Sequence, residues 1–447
     1  MADHAKSDHP AVQAQLDRLA ALSPGRDTLG LERIAALCER LGNPQDRLPP
    51  VFHVAGTNGK GSTCAFLRGA IEAAGLKCHV YSSPHLVRFN ERIRVAGKLI
   101  EDEALAELLS EVLDHAEGLQ ASFFEVTTAV AFMAFSRIPA DACVIEVGLG
   151  GRLDATNVIK KPAACGIASL GLDHEGFLLA PEDGVPEDMA PLDRIAFEKS
   201  GIAKAGVPLV TQAYPESMQR TIIEQTNRKG AIPTLRGRDW DAEVRDGMLH
   251  YHDGQEHLCL PLPTMAGRHQ VDNAALAVAM LKHQSRISIP RDAIAKALET
   301  TRWPARMQRL SVGPLVDMLP DGSELWLDGG HNPDAGIALA KTLAGPDKVH
   351  VICGLLKNKD ALGFLTPFAD KIAGFQAVPI PGHEHHDPKD LCRWAHEFLG
   401  IVDAQPSSSI TAALERTAKT NKAQRVLVCG SLYLAGEVLR LNDEVPD

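Results

Sequence analysis

The ten residues Val54-Ala55-Gly56-Thr57-Asn58-Gly59-Lys60-Gly61-Ser62-Thr63 decide how this chain is read. A short apolar run, Val51 to Ala55, leads into them, and a helical pattern from Ser62 to Ala74, closed by Gly75, leads out. Glycines let the backbone wrap so that its N–H groups face phosphate oxygens. The helix N-terminus adds partial positive charge, and Lys60 is placed to reach terminal phosphates. The strict phosphate-loop pattern has Ser or Thr directly after the lysine. Here Gly61 intervenes and Ser62 and Thr63 are displaced by one, so the loop is a variant. Gly56, Thr57, Asn58, Gly59, Lys60, Gly61 and Ser62 are therefore expected to hold a nucleotide. A phosphate loop alone does not name a reaction.

Outward from the loop, Lys77 to Ser82 reads as a second strand, so strand, loop, helix and strand form a unit with parallel pairing and a right-handed crossover. Helices are expected around Leu31–Leu41, Leu105–Leu113, 217–228, 273–283 and 290–298. Buried strands are expected at 142–147, 163–170 and 207–211, with short irregular segments running up to Pro261 and Pro263. Trp303-Pro304 breaks the pattern, which divides the chain into domains 1–300 and 301–447. Beyond the break the alternation resumes, with strands at 325–328, 349–354, 374–380 and 425–430. The expected class is α/β, a mostly parallel sheet in the first domain and a smaller doubly wound layer in the second.

Composition bounds the partners. At 447 residues and 45% hydrophobic, each domain can bury its own core, which excludes a small disulfide scaffold. A net charge of −11 argues against non-specific nucleic-acid binding. The nine cysteines are scattered without a CxxC pair and read as small core residues in a reducing compartment. No apolar run approaches the roughly 18–20 residues of a membrane span, and the N-terminus lacks a signal-peptide pattern, so a cytoplasmic protein is expected.

Further blocks fall at strand ends. Tyr81-Ser82-Ser83-Pro84-His85-Leu86 is followed by Glu91-Arg92-Ile93. Val144-Ile145-Glu146-Val147-Gly148-Leu149-Gly150-Gly151-Arg152-Leu153-Asp154 closes the Ala142 strand, and Ser169-Leu170-Gly171-Leu172-Asp173-His174 the next. Glu198-Lys199-Ser200-Gly201-Ile202, Leu327-Asp328-Gly329-Gly330-His331-Asn332-Pro333 and Val428-Cys429-Gly430-Ser431 come later. Ligands of open parallel sheets gather beyond the carboxyl ends of strands, so the phosphate loop, Ser83, Glu146 and Asp173-His174 should converge on one cleft. Phosphates call for magnesium, a hard cation that prefers oxygen, which Ser83 and Glu146 supply.

In this order, from about Leu29 to Glu437, the blocks resemble the folylpolyglutamate synthases and bifunctional dihydrofolate synthase/folylpolyglutamate synthases of the Mur ligase superfamily. The resemblance implies an ATP-dependent ligase that adds L-glutamate to dihydropteroate and to reduced folates through an acyl phosphate. It implies two Mg²⁺ ions, one on Ser83 and Glu146 and one on Glu146 and His174, with Lys199 carbamylated into an oxygen ligand. Lys60, Glu146, His174 and Lys199 would form the catalytic set, and Asn273, Arg306 and Asp328 a second nucleotide wall. Pterin contacts would come from Thr28, Leu29, Gly30 and Leu31, from Phe123, Phe124 and Glu125, and from Leu153. His331 and Ser431 would receive the glutamate. The enzyme would work as a monomer on small molecules, with neither nucleic acid nor membrane as partner. Two departures stand out: Ala305 replaces the glycine of a Trp-Pro-Gly-Arg linker, and an acidic, proline-rich insertion at Pro181–Pro191 lengthens the His174–Lys199 spacing. The His383, His385, His386 cluster reads as a solvated loop.

Overall fold

Val51–Ala55 (β1) is buried at every residue, as a central parallel strand covered on both faces must be. The structure, a computed structural model, describes residues 5–22, 29–181, 185, 188–345, 347–419 and 424–447. Thr28 and part of the Pro181–Pro191 insertion lie outside the described residues. The first sheet adds β2 (Cys78–Tyr81), β3 (Ile93–Val95), β4 (Lys98–Leu99), β5 (Ala142–Glu146), β6 (Ala164–Ile167), β7 (Pro208–Thr211) and β8 (Ile232–Leu235). Their order is β4-β3-β2-β5-β1-β6-β7-β8, parallel from β2 to β8 and antiparallel only at the β4-β3-β2 edge. Val54 pairs with both Glu146 and Gly166, so β5, β1 and β6 end level and their following loops leave side by side. This register makes the cleft.

One face of the sheet is covered by helix Lys60–Ala73 with Arg268–Lys282 and Arg291–Thr300, around Phe66, Ile71, Met280 and Ile294. The other is covered by Pro10–Leu22, Glu32–Arg40, Asp102–Ala116 and Phe123–Arg137. The stretch expected to be irregular before Pro261 is instead a three-stranded antiparallel sheet, β9 (Asp241–Arg245), β10 (Met248–His252) and β11 (His257–Pro261). Asp246 and Gly247 both take positive φ, 52° and 72°, the hairpin turn that an Asp-Gly pair favours. Trp240, Leu249, Tyr251 and Leu258 tie this sheet to the core beneath.

The chain leaves helix Arg291–Thr300 through Trp303–Met307 and builds a second sheet from β12 (Gln308–Leu310), β13 (Glu324–Leu327), β14 (Val349–Cys353), β15 (Ile372–Ala377), β16 (Ala404–Pro406) and β17 (Arg425–Cys429). Its order is β12-β13-β17-β14-β15-β16, parallel except at β12. Apolar clusters cover both of its faces. Leu86 and Val87, from the loop after β2, pack against the second of these clusters, so the first domain inserts a loop into the second. Gly436 meets that loop so closely that an added Cβ would lie 1.9 Å from the Leu86 carbonyl oxygen.

Candidate active site

The phosphate loop is an arch held from inside. Gly56 and Gly59 adopt φ of 151° and 84°, conformations open to glycine. Lys60 curls back and donates to the carbonyls of Gly56 (3.0 Å) and Thr57 (3.2 Å). Thr57 N–H donates to Ser169 O at 2.7 Å, and the Thr57 hydroxyl donates to Gly171 O at 2.9 Å, which fixes the arch to the loop after β6. The Ser62 and Thr63 hydroxyls, at the helix start, are buried yet have no hydrogen-bond partner among the described residues. Buried hydroxyls are normally satisfied, so this pair marks a place made for a polar ligand.

Glu146 ends β5 with 5% exposure, and its Oε2 accepts from Ser83 N–H at 3.3 Å. Burial raises its pKa, while Lys60, the Ser83 N–H and Arg306 oppose the rise. A buried carboxylate at a strand end offers the oxygen that a hard divalent cation prefers. Lys199, in the last turn of helix Pro191–Ser200, is also buried, and burial together with the nearby Lys60 pushes its amine down to about 7. Arg152 N–H donates to Glu198 O (2.7 Å), and the buried Glu198 carboxylate is gripped by Arg152 (2.9 Å) and Arg194 (3.0 Å). This clamp sets the helix end against the Gly148–Asp154 loop. As a free amine, Lys199 offers no oxygen to a metal.

Asp173, expected at the cleft beside His174, has a bridging role that the sequence did not reveal. Its neighbour His174 drew attention, but the Asp173 carboxylate bridges the domains. It pairs with Lys359 (2.5 Å) and His331 Nε2 (3.4 Å), and accepts from Asn332 Nδ2 (3.2 Å). Burial opposes its ionisation, yet His331, His174 and Lys359 hold it well below the usual carboxylate range. Asn58 of the phosphate loop and Asn332 exchange reciprocal side-chain bonds of 3.1 Å, a second tie across the cleft. Lys359 lies in a loop of the second domain, and nothing local in its sequence signals the partner.

The second nucleotide wall gathers around the arch. Asn273 is buried with its Oδ1 against Gly59, close enough that a Cβ there would sit 2.3 Å away. Trp303 covers Gly61 in the same way. Asp328 is committed to structure on both oxygens, accepting from Met307 N–H (2.9 Å) and Gly330 N–H (2.7 Å), so it braces the linker that carries Arg306.

The residues expected at the pterin wall differ in how far they are already engaged. Phe123 is core, edge-on to Phe89 and beneath Arg92, and does not offer a free face. Glu125 closes a capping box with Ser122 and pairs with Arg33 at 3.0 Å, so its Oε2 already takes two donors. Phe124 remains half-buried, with its ring against Gly148 beside the Glu146 loop. Leu29, Gly30 and Leu153 are half-buried, and Leu31 packs on the same core. Ser431 caps helix Leu432–Leu441 by accepting from Tyr433 N–H, and His331 Nδ1 lies 2.9 Å from Gly329 O. The histidine cluster lies in a partly exposed loop with two anchors: His383 stacks on Tyr433 at 3.8 Å and His386 Nε2 lies 2.8 Å from Lys359 O. Among the described residues no group of three or more His, Cys, Asp or Glu side chains could hold a metal.

Comparison with known proteins agrees with this geometry. Residues 316–441 match the family described as dihydrofolate synthetase, C-terminal domain. The chain is 33% identical over 420 residues to the dihydrofolate synthase/folylpolyglutamate synthase of Escherichia coli strain K12, covering 93% of this chain and 92% of that protein. The solved structure of E. coli FolC in complex with DHPP and ADP superposes with a TM-score of 0.83 at 32% identity, covering 98% of both chains. The bifunctional folylpolyglutamate synthase/dihydrofolate synthase from Yersinia pestis, complexed with AMPPNP and Mn, gives a TM-score of 0.81 at 30% identity, covering 96% of this chain and 97% of that one. A phosphate arch, a buried carboxylate at the neighbouring strand end and a cleft closed by a second α/β domain thus occur together in a chain that belongs to the dihydrofolate synthase/folylpolyglutamate synthase family.

Proposed function

We propose that this chain is an ATP-dependent ligase that joins the α-amino group of L-glutamate to the carboxylate of dihydropteroate, giving dihydrofolate, and to the terminal glutamyl carboxylate of reduced folates. The observation that carries the reading is the Glu146–Ser83 contact at the end of β5 next to a phosphate loop whose Ser62 and Thr63 hydroxyls have no partner among the described residues and whose Asn58 is tied to Asn332 of the second domain. Residues 1–300 would bind the nucleotide and 301–447 the incoming amino acid. No described helix is long and apolar enough to cross a membrane. Nine free thiols favour a reducing cytoplasm.

A carboxylate is a poor electrophile, so the acceptor must be activated. Its oxygen attacks the γ-phosphorus of ATP, ADP leaves and an acyl phosphate forms. The glutamate amine then attacks the acyl carbon, phosphate departs and the nitrogen loses a proton. Lys60 would exchange its two carbonyl partners for phosphate oxygens, while the arch N–H groups and the Ser62 and Thr63 hydroxyls face the remaining charge. Ser83, Glu146 and His174 would hold magnesium, which when bound neutralises phosphate charge. Lys199 would join them once carbon dioxide has converted its amine to a carbamate. Arg306 would follow the nucleotide as the domains close, and His331 and Ser431 would orient glutamate.

The test is direct. Purified protein is incubated with MgATP, L-glutamate and either dihydropteroate or tetrahydrofolate monoglutamate, followed by mass spectrometry. A product one glutamyl unit heavier from both acceptors is expected. Product from tetrahydrofolate alone would restrict the enzyme to chain extension, and no heavier product from either would overturn the reading.

A further inference from the structure

The small sheet β9–β11, apart from the phosphate loop and the interdomain cleft, carries two alternating pairs: His250-x-His252 on β10 and His257-x-Cys259 on β11. The antiparallel register sets His250 opposite Cys259 and His252 opposite His257. Successive side chains on a strand point to opposite faces, and Leu249, Tyr251, Leu258 and Leu260 are buried. The three histidines and the cysteine therefore share the outer face. Among the described cysteines, Cys259 alone is not buried.

His250 Nδ1 and His257 Nε2 face each other at 3.2 Å, with the ring planes 19° apart. Two ligand nitrogens of one zinc ion sit about 3.3 Å apart, given bonds of about 2.0–2.1 Å and a tetrahedral angle. Arg245 Nη2 lies 3.3 Å from the same Nδ1, and a guanidinium only donates, so Nδ1 presents a lone pair. The other nitrogen of that ring, Nε2, lies 4.0 Å from Cys259 Sγ, where a partner fixes the tautomer and tilt of a ligating histidine. Arg245 is an exposed side chain that also reaches Glu243 at 3.5 Å, so it can swing aside from an incoming cation. We propose that His250 Nδ1 and His257 Nε2 form a site for a divalent transition cation, zinc being the type, with water completing its shell and Cys259 steadying the first ring. The class follows from the donors: imidazole suits zinc, nickel and copper, whereas magnesium prefers oxygen. Two protein nitrogens make an exchangeable site, in keeping with the absence of any three-ligand group among the described residues. The bound ion would tie β10 to β11, whose inner residues Leu249, Tyr251 and Leu258 pack in the same core as helix Arg268–Lys282.

The experiment titrates untagged, chelator-treated protein with ZnCl2 by calorimetry and follows its melting midpoint with and without zinc. Wild type is compared with His250→Gln, His257→Ala, Cys259→Ala, Arg245→Gln and Glu146→Gln. His250→Gln and His257→Ala should each weaken one zinc site at least tenfold. Cys259→Ala should weaken it severalfold, and Arg245→Gln, which removes a competing cation, should tighten it. Glu146→Gln should keep it, which separates this ion from the one expected at the catalytic centre. Zinc should raise the melting midpoint of wild type more than that of His257→Ala, and MgCl2 should give no such difference. His257 is exposed, so its variant keeps the test decisive if replacing the buried His250 prevents folding. Equal zinc affinity in wild type and His257→Ala overturns the proposal. Loss of the zinc site in Glu146→Gln, with His257→Ala unaffected, overturns it by assigning the ion to the catalytic centre.

Discussion

Gly436 offers the sharpest perturbation of domain closure. It sits inside helix Leu432–Leu441, where glycine has no conformational role, and replacement by alanine should strengthen the isolated helix by about 0.5–1 kcal/mol. The same Cβ would lie 1.9 Å from the Leu86 carbonyl oxygen and 2.7 Å from its carbon. Ordinary contact begins near 3.4 Å, so the Leu86 loop or the whole second domain must retreat by roughly 1.5 Å. The obstacle is backbone, which cannot swing aside as a side chain would. Overpacking of this kind costs about 1–3 kcal/mol, and the charge falls on docking because the two groups belong to different domains. The closed population, and with it kcat for glutamate ligation, should fall between about fivefold and more than a hundredfold. Nucleotide contacts of the first domain are unaffected, so ADP affinity by calorimetry should hold within a factor of three. Wild-type kcat in Gly436→Ala, with the melting curve unchanged, would refute the claim that this contact governs closure.

Further expectations concern the site and the stability of the chain. Glu146→Gln should lower divalent-dependent turnover by at least about a hundredfold while the circular dichroism spectrum stays native; retained turnover removes Glu146 from the metal site. Ala305 takes a φ of 54° in the linker, a strained conformation for a residue with a Cβ, so Ala305→Gly should raise stability by about 1 kcal/mol in a urea titration. Acid should weaken the fold early. Burial pushes His53 down to about 3, with Lys204 adding to the effect, and His85 down to about 4. The unfolded chain protonates both near 6.5 while the folded one does not, so stability is complete above that pH and falls as pH drops below it. At pH 5 the loss is about 2 kcal/mol per histidine, and unfolding curves at pH 7.5 and 5 should differ accordingly. An unchanged midpoint would contradict the burial of these rings as neutral groups.

How much was legible in the sequence depended on whether the signal was local. The phosphate loop, the strand ends at Ser83 and Glu146 and the alternation of the second domain could be read because each is a short pattern with its own stereochemistry. The hairpin at Asp246-Gly247 was equally local but was masked by the charged Asp241–Arg245 strand, whose alternation is weak. Ser122-x-x-Glu125 is a capping box, and that pattern could have revealed helix Phe123–Arg137 and the structural use of Glu125. Asp173 and Lys359 are far apart in the chain, and only the closed fold brings them together.

The central claim is that phosphate activates an acceptor carboxylate for attack by glutamate. Dihydropteroate labelled with heavy oxygen in its carboxylate, turned over with MgATP and L-glutamate, tests it most directly through the mass of the released phosphate. An acyl phosphate predicts one heavy oxygen in the phosphate for each amide bond formed, with one retained in the new amide. Unlabelled phosphate alongside amide product would contradict that route, and phosphate release without amide product would contradict the ligase itself.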